Sequence, residues 1–398
     1  MTGNRASTAG RARREGRSGA ARQGKGDFPR ALGRGFNTAA WWCLALVLLL
    51  LMPSVATGAP AAERLAVLRR GIAITGWFRH PASRDPAVLR GWLSDMAMAD
   101  LKRAGFTFVR LAFDPAVLDG EESRLVFLEQ VARLRRQGLG VVVSPHPVGW
   151  SIDTNPADRS RFVAFWRGFA PLLRDTPPGM VFPEVLNEPV FAGKPAAWWA
   201  LQRELHGILR AALPAHTLVL TGHDWSSVEG LLALPPLEDG NVLYGFHYYD
   251  PAELTALAAY RSGLDRAAFA RLPFPVGDPA ACRARAASGD AATGGLVGFY
   301  CDQGWDAARV RARFQQAATW ARAQGAALLL GEFGASAALN PVARLAWMRL
   351  VADTSAAQGI GWTLWGYDDV MGLNVPRPPQ SRPVLDRSVL EALRLTVP

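Results

Sequence analysis

Eight short apolar segments alternate with amphipathic segments along this chain of 398 residues, and the alternation predicts an α/β fold, a closed (β/α)8 TIM barrel. Several amphipathic segments stop at a glycine, as helices with left-handed caps do, for example at Gly105 and Gly138. Strands are expected at residues 71–75, 107–113, 140–145, 181–186, 217–221, 242–246, 326–330 and 359–364. The intervening helices are expected at residues 88–104, 124–137, 159–174, 195–213, 307–324 and 341–358.

The first part of the chain is predicted to lie outside the barrel. Residues 1–38 hold eight Arg and one Lys against Glu15 and Asp27, a net charge of +7 that leaves only +3 for the remainder. We interpret this segment as a basic, disordered tail. A nucleic-acid-binding face would need clustered basic residues on the folded part, so nucleic acid is not an expected partner.

Residues 39–59 are interpreted as a signal peptide or a membrane anchor. Residues 39–52 are fourteen apolar residues, fewer than the ~20 that cross a bilayer comfortably. A basic, an apolar and a small-residue stretch in this order are typical of a secretory signal. We therefore expect a secreted or periplasmic protein, or one that residues 39–56 tether to the membrane. Residues 60–398 form the predicted folded domain.

One connection in that domain is far longer than the others. Residues 250–305 separate the sixth strand from its helix, and a loop of this length is usually functional or disordered. We expect an inserted lobe, because the segment contains both Cys282 and Cys301. A disulfide would close a loop of about 20 residues and contribute about 3 kcal/mol. Two unrelated buried thiols are the alternative, and an oxidising compartment favours the disulfide.

Polar side chains follow the predicted strands at the ends that a parallel barrel gathers on one face, the face that carries the chemistry. Glu188 follows the fourth strand and Glu332 the seventh. Cleavage of a glycosidic bond needs two carboxyl groups, one as proton donor and one as nucleophile or base. The other candidate site residues at these strand ends are Arg110, His146, Asn187, His223, His247, Tyr249 and Trp365.

The motifs around these residues resemble, in their order, those of glycoside hydrolase family 5, the cellulase-like retaining β-glycosidases. The resemblance implies a hydrolase with a (β/α)8 barrel that cleaves a β-linked oligo- or polysaccharide, as a monomer without metal or organic cofactor. The matching segments are Phe108-Val109-Arg110-Leu111, Pro145-His146, Glu184-Val185-Leu186-Asn187-Glu188-Pro189, His247-Tyr248-Tyr249, Gly331-Glu332-Phe333-Gly334 and Trp362-Thr363-Leu364-Trp365.

The resemblance also implies individual roles. Glu188 would be the general acid/base and Glu332 the nucleophile. Arg110 would hold the pKa of Glu332 down, and Tyr249 would orient the same carboxylate. Asn187 would bind the sugar 2-hydroxyl. His146 and His247 would bind neighbouring hydroxyls of the sugar. Trp365 would form the floor on which the sugar stacks.

Alternatives remain at the level of function. A mannan- or β-1,3-glucan-cleaving member, or a transglycosylating one, would use the same two glutamates. A protein of another class, a non-catalytic carbohydrate-binding protein of the cell envelope, would lack one of them. His223 follows the fifth strand where many relatives have other polar residues, so the sequence does not assign it to a particular sugar subsite.

Alternatives also remain for single residues. Arg110 could be a structural counter-ion of Glu184 as well as a neighbour of Glu332. Trp362 is expected in the core. Three further tryptophans could either line sugar subsites or pack under loops: Trp77, Trp150 and Trp225.

Overall fold

The computed structural model describes residues 62–398, which form a barrel of eight parallel strands. Neighbouring strands pair in the order β4-β3-β2-β1-β8-β7-β6-β5, and a bridge between Glu184 and Val219 joins the end of β4 to β5. The predicted fold class is confirmed. The strands are β1 (Arg70–Phe78), β2 (Phe108–Phe113), β3 (Gly140–Pro145), β4 (Val181–Pro183), β5 (Leu218–Thr221), β6 (Val242–Tyr248), β7 (Ala327–Phe333) and β8 (Gly361–Leu364).

The basic tail at residues 1–38 and the candidate signal peptide or anchor at residues 39–59 lie outside the described residues, and both stay predictions. Within residues 62–398, no helix combines the length and the apolar character that a membrane crossing requires.

The helices begin and end where the local sequence indicates. Asn155 and Asn340 each accept a hydrogen bond from a backbone N–H of the first helical turn, with proline directly after the asparagine. The helices are α1 (Ala62–Val67), α2 (Pro86–Gly91), α3 (Asp95–Ala104), α4 (Glu121–Arg136), α5 (Pro156–Phe169), α6 (Pro195–Ala212), α7 (His223–Ser226), α8 (Val228–Leu232), α9 (Ala252–Thr255), α10 (Arg266–Ala270), α11 (Pro279–Arg285), α12 (Ala291–Gln303), α13 (Ala307–Gln324), α14 (Pro341–Ala357) and α15 (Arg387–Ala392).

Two predicted elements differ from the structure. The helix expected at residues 88–104 is split into α2 and α3, because Ser94 accepts a hydrogen bond from the backbone N–H of Ala97 and so begins a new helix. The fourth strand ends at Pro183 instead of residue 186. Beyond Pro183 the chain keeps single hydrogen bonds to β3 and β5, for example from Val185 N to Val219 O at 2.9 Å.

Apolar side chains fill the amino-terminal end of the barrel, and α1 closes it. Glycines make room for them: a Cβ on Gly71 would lie 2.2 Å from the Phe108 ring, and one on Gly140 would lie 2.3 Å from Val67. Arg64 of α1 donates hydrogen bonds to the segments that precede β5 and β6, at Ala215, Thr217 and Asn241. The buried residues of this layer are Leu68, Phe108, Val142, Phe182, Val219, Leu243 and Leu329.

Tryptophans of the outer helices fix the opposite ends of the strands. Trp166 of α5 donates a hydrogen bond to Val185 O at 2.9 Å, just beyond β4. Trp198 of α6 donates to Thr221 O of β5 at 2.8 Å. Each indole fills the helix–sheet interface and also holds a backbone carbonyl at the strand end.

Two other tryptophans belong to the core. Trp362 is buried, as predicted. Trp77 is also buried and donates a hydrogen bond to Leu89 O of α2 at 2.7 Å, so it packs beneath that helix instead of lining a sugar subsite.

The segment between β6 and α13 forms a lobe that contains α9 to α12. The predicted disulfide between Cys282 and Cys301 is present and joins α11 to α12. Asn340 attaches the lobe to the barrel, since its side-chain amide donates a hydrogen bond to Leu272 O at 2.6 Å. The disulfide therefore crosslinks two helices within the lobe, and Asn340 links the lobe to the start of α14.

We expect the double variant Cys282→Ser/Cys301→Ser to lose about 3 kcal/mol of unfolding free energy, because the disulfide restricts the unfolded chain. Urea unfolding of the variant and of oxidised and reduced wild-type protein measures the loss. Mass spectrometry after alkylation is the control, and free thiols at Cys282 and Cys301 in the unreduced wild-type protein would contradict the bridge.

Candidate functional site

Glu332 reaches the barrel interior because a β-bulge precedes it. Leu329 faces the interior and Leu330 faces the outer helices, so regular alternation would turn Glu332 outward. The register between β6 and β7 shifts by one residue here, and His247 lies opposite Glu332. The extra residue, Gly331, reverses the alternation and turns the carboxylate inward.

Arg110 of β2 holds two carboxylates and an amide together from the centre of the barrel. Its side chain is fully buried. Nε and Nη2 donate to the two oxygens of Glu184, both at 2.7 Å, and Nη1 donates to Oε1 of Glu332 at 2.6 Å. Nη2 also donates to Oδ1 of Asn187 at 2.8 Å. Arg110 is thus a counter-ion of Glu184 and a neighbour of Glu332 at the same time.

Two side chains from the end of β6 complete the contacts of the glutamates. Nδ1 of His247 lies 2.9 Å from Oε1 of Glu188 and 3.5 Å from Oε2 of Glu332. The hydroxyl of Tyr249 donates to Oε2 of Glu332 at 2.9 Å. His247 therefore bridges the two glutamates, whereas the sequence led us to expect it at a sugar hydroxyl.

The backbone of Glu188 has φ = 42°, a left-handed conformation that glutamate seldom adopts. Such a conformation persists where surrounding contacts hold it, and it is concentrated at functional sites. The following turn is held by backbone hydrogen bonds from Asp224 N to Val190 O at 3.0 Å and from Trp225 N to Pro189 O at 3.2 Å. The Glu188 side chain is 30% exposed, so it can reach a bound molecule.

The two carboxyl groups bound to Arg110 have opposite pKa shifts. Burial raises the pKa of Glu332, and His247 and Arg110 reduce this shift without cancelling it. Arg110 thus lowers the pKa of Glu332 as expected, but burial outweighs this effect and the net shift is upward. Burial acts in the same sense on Glu184, but Arg110 outweighs it and lowers the pKa of that carboxyl. The difference follows from the contacts, since Arg110 donates twice to Glu184 and once to Glu332.

Burial also sets the protonation of two neutral side chains. It raises the pKa of the Tyr249 hydroxyl well above its ordinary value, so Tyr249 remains a hydrogen-bond donor. Burial and the nearby charge of Arg110 lower the pKa of His146, which stays neutral. Nε2 of His146 lies 3.0 Å from Ser144 Oγ, and its ring packs 5.7 Å from the ring centre of Trp365.

A cleft of about 370 Å³ opens beside Glu188. Trp225 is 53% exposed at its rim. Trp365 is only 9% exposed, and the guanidinium of Arg79 lies over its ring, 5.3 Å from the ring centre. The polar and aromatic side chains that line the cleft include Arg79, His80, His146, Trp150, Asn187 and Trp225.

One group of side chains among residues 62–398 has the spacing of metal ligands. Atoms of Glu188, His247 and Glu332 lie within 4.8 Å of one another. Both oxygens of Glu332 already accept hydrogen bonds, from Arg110 and Tyr249, so a cation would compete with a guanidinium. The carboxyl groups of retaining glycosidases lie about 5–5.5 Å apart, so the arrangement suits acid–base and nucleophilic catalysis better than metal binding.

The structure brings most of the predicted residues together. His146 and Trp365 pack against each other beside the group. His223 does not join it: it begins α7, is partly buried and lies outside the residues that line the cleft. Six predicted residues share one hydrogen-bonded group, Arg110, Asn187, Glu188, His247, Tyr249 and Glu332.

Two contributors were missed by the sequence analysis. Gly331 interrupts an apolar strand, and a glycine in that place is a recognised sign of a bulge. Arg79 follows β1 without any motif, and nothing in the local sequence distinguishes it from the other arginines.

Comparison with known proteins identifies the family. The model for cellulase (glycosyl hydrolase family 5) matches residues 78–369, which is more than half of the chain. The chain belongs to glycosyl hydrolase family 5. The resemblance that the motifs indicated is thereby confirmed.

Relatives within the family are endoglucanases. The chain is 25% identical over 342 residues to Endoglucanase 3 of Fibrobacter succinogenes, a match that covers 77% of this chain and 50% of that protein. It is 24% identical over 211 residues to Endoglucanase C of Acetivibrio thermocellus, covering 49% of this chain and 61% of the other. The matches thus span only about half to three fifths of the relatives' length.

Two solved structures share the fold. The endoglucanase Cel5A of Thermotoga maritima superposes with a TM-score of 0.68 at 23% identity, covering 83% of this chain and 98% of the other. The cellulose synthase subunit Z of Clostridioides difficile superposes with a TM-score of 0.64 at 21% identity, covering 82% and 99%.

We expect Gly331→Ala to lower the kcat of this family 5 protein on an aryl β-glycoside at least ~10-fold, because small displacements of catalytic groups are costly. A Cβ on Gly331 would lie 2.9 Å from Nε2 of His247, whose other ring nitrogen holds Glu188. Gly207→Ala, where a Cβ meets open space, is the matched control. An unchanged kcat in Gly331→Ala, with both variants folded by circular dichroism, would contradict the importance of this contact.

Proposed function

We propose that the protein hydrolyses β-glycosidic bonds of a glucan or related β-glycan by double displacement, with retention of configuration. The observation that carries the proposal is the pair Glu188 and Glu332, whose oxygens lie within 4.8 Å of each other, close to the ~5–5.5 Å spacing of retaining enzymes. The two groups also differ in setting: Glu332 is buried and held by Arg110 and Tyr249, whereas Glu188 is partly exposed.

In the first step, an oxygen of ionised Glu332 attacks the anomeric carbon and the bond to the leaving oxygen breaks. Glu188 donates its proton to that oxygen, so the departing sugar leaves as an alcohol. Arg110 and Tyr249 hold the attacking carboxylate in place. Since Oδ1 of Asn187 accepts from Arg110, its amide N–H groups are free to donate to the sugar 2-hydroxyl.

In the second step, the ionised Glu188 takes a proton from water, and the water oxygen attacks the anomeric carbon. The bond to Glu332 breaks, which restores both glutamates to their starting states. The contact between His247 Nδ1 and Glu188 Oε1 at 2.9 Å keeps this carboxylate directed at the reacting centre throughout.

The substrate class is supported by the relatives. They are named endoglucanases, and a further one is Cellodextrinase A of Ruminococcus flavefaciens, 25% identical over 206 residues. Another structure of Thermotoga maritima Cel5A is a complex with mannotriose, so a mannan remains a second candidate. A non-catalytic carbohydrate-binding protein would be expected to lack one of the acids, and both occupy the site.

We expect Glu332→Gln to abolish turnover of every substrate, because an amide cannot form the glycosyl intermediate. Glu188→Gln should lose activity on unactivated glycans but keep the first step on a dinitrophenyl glycoside, whose leaving group needs no proton. Pre-steady-state release of dinitrophenol measures that step. Glu204→Gln, an exposed glutamate on α6, is the matched control. Near-normal turnover in Glu332→Gln would refute the assignment.

The stereochemical course tests the mechanism directly. Proton NMR during hydrolysis of an aryl β-glycoside should show the β-anomer as the first product, because two inversions give net retention. A first product in the α-configuration would rule out double displacement.

The raised pKa of Glu332 predicts the acid side of the pH profile. Because the nucleophile must be ionised, kcat/KM should fall as the pH drops through a value above the 4.5 of an ordinary glutamate. Tyr249→Phe removes a hydrogen bond that lowers this pKa. The acid limb of the profile, where kcat/KM falls with decreasing pH, should therefore move to higher pH. Tyr260→Phe, an exposed tyrosine in the lobe, should leave the limb in place. A limb that stays fixed or moves to lower pH in Tyr249→Phe would contradict the prediction.

A further inference from the structure

Arg79 carries a positive charge into the cleft beside the catalytic pair. It follows β1 directly, is partly buried and lines the cleft together with His146 and Asn187. Its guanidinium lies over the ring of Trp365, the tryptophan expected beneath the sugar. Within residues 62–398, its buried Nε has no hydrogen-bond partner.

The neighbouring carboxylates have other partners. Asp114 lies 4.0 Å from Arg84 and accepts from the backbone N–H of its own turn. Asp368 is buried, accepts from the backbone at the end of β1 and pairs with Arg377. In the described part of the chain, neither lies within ion-pair distance of Arg79.

The wall around Arg79 is therefore at positive potential. Burial lowers the pKa of His80, the charges of Arg79 and Arg377 lower it further, and Asp114 and Asp368 oppose these charges only in part. Two carboxyl groups also line the cleft, Glu188 and Asp153, but they belong to the segments after β4 and β3. An anion would thus be attracted to the side of the cleft formed by β1 and repelled from the side of Glu188.

A partly desolvated guanidinium without a carboxylate is unfavourable. The contact with an aromatic ring compensates only in part, because such contacts contribute about 0.5–2 kcal/mol. The planar guanidinium matches a carboxylate through two parallel hydrogen bonds. The guanidinium of Arg79 is therefore suited to leave the ring of Trp365 and to pair with a carboxylate on the sugar that binds there.

Resting on the function proposed above, we propose that Arg79 is a specificity-determining residue that binds a carboxylate on the sugar at Trp365, so that the preferred substrate is an acidic β-glycan. The carboxylate can belong to a uronic acid or to a carboxyl-bearing substituent of a neutral sugar. A neutral sugar at the same place leaves the guanidinium unpaired, and sites built for a polar contact discriminate strongly against ligands that lack it.

The experiment compares three matched substrates of one linkage: neutral cello-oligosaccharides, the same chains oxidised to carboxylates at C6, and the same chains carrying carboxymethyl groups. We expect kcat/KM to be higher for one of the charged sets than for the neutral set, and the favoured set identifies the source of the carboxylate. Arg79→Gln should lower this charged-to-neutral ratio about 10- to 100-fold, the range for hydrogen bonds to charged groups. Added salt should lower the ratio in the wild-type protein and have less effect in the variant.

The controls separate the possible failures. Arg84→Gln removes a charge from an exposed arginine near Asp114 that is not among the residues lining the cleft, and should keep the wild-type ratio. Arg79→Lys keeps the charge without the planar geometry and should retain part of the preference. A ratio that is unchanged in Arg79→Gln, or a wild-type preference for the neutral set, would overturn the proposal while leaving the proposed hydrolysis intact. Wild-type protein that cleaves none of the sets above the rate of Glu332→Gln would instead refute the proposed hydrolysis of a β-glucan.

Discussion

The site depends on one buried guanidinium. Arg110 is surrounded by two carboxylates and an amide that come from the ends of β4 and β7, and its four hydrogen bonds range from 2.6 to 2.8 Å. Charges buried in this way are tolerated only when their partners are present, and removal of one partner typically costs about 3–5 kcal/mol. Glu184 accepts two of the four hydrogen bonds of Arg110, one on each carboxylate oxygen. That arrangement leaves Glu332 with a single contact to the guanidinium and a pKa that burial still raises.

The positions of these polar groups follow from apolar packing further out. Trp166 and Trp198 hold the backbone at the ends of β4 and β5, on either side of the place where the barrel closes. The barrel is closed there by a backbone β-bridge between Glu184 and Val219. The residue that neutralises Arg110 therefore also lies at the seam of the barrel, so the geometry of the seam and the electrostatics of the site are linked.

Much of this was predictable from the sequence because the signals are local. Strand and helix periodicity, the glycines after helix ends and the carboxylates after β4 and β7 each depend on a few adjacent residues. The bridging position of His247 was not predictable, since it depends on a bulge in β7 that shifts the register by one residue. The net upward pKa shift of Glu332 was also not predicted, although Arg110 does lower this pKa. The net shift depends on burial and on how the charge of Arg110 is shared with Glu184, and neither can be read from adjacent residues. Arg79 was missed because its surroundings come from distant parts of the chain, the end of β8 and the loops that line the cleft.

The helix that closes the barrel has a consequence for how the protein is made. Arg64 of α1 binds Ala215, Thr217 and Asn241, which lie 151, 153 and 177 residues further along the chain. At about 5–20 residues per second, a ribosome needs roughly 10–35 s to synthesise that stretch. During this time α1 has emerged but its binding surface does not exist, and Val67 cannot reach its place beside Gly140 until the strands around it have assembled. The first helix of the described residues is thus among the last to dock, so the base of the barrel can be completed only after residue 241 has been made.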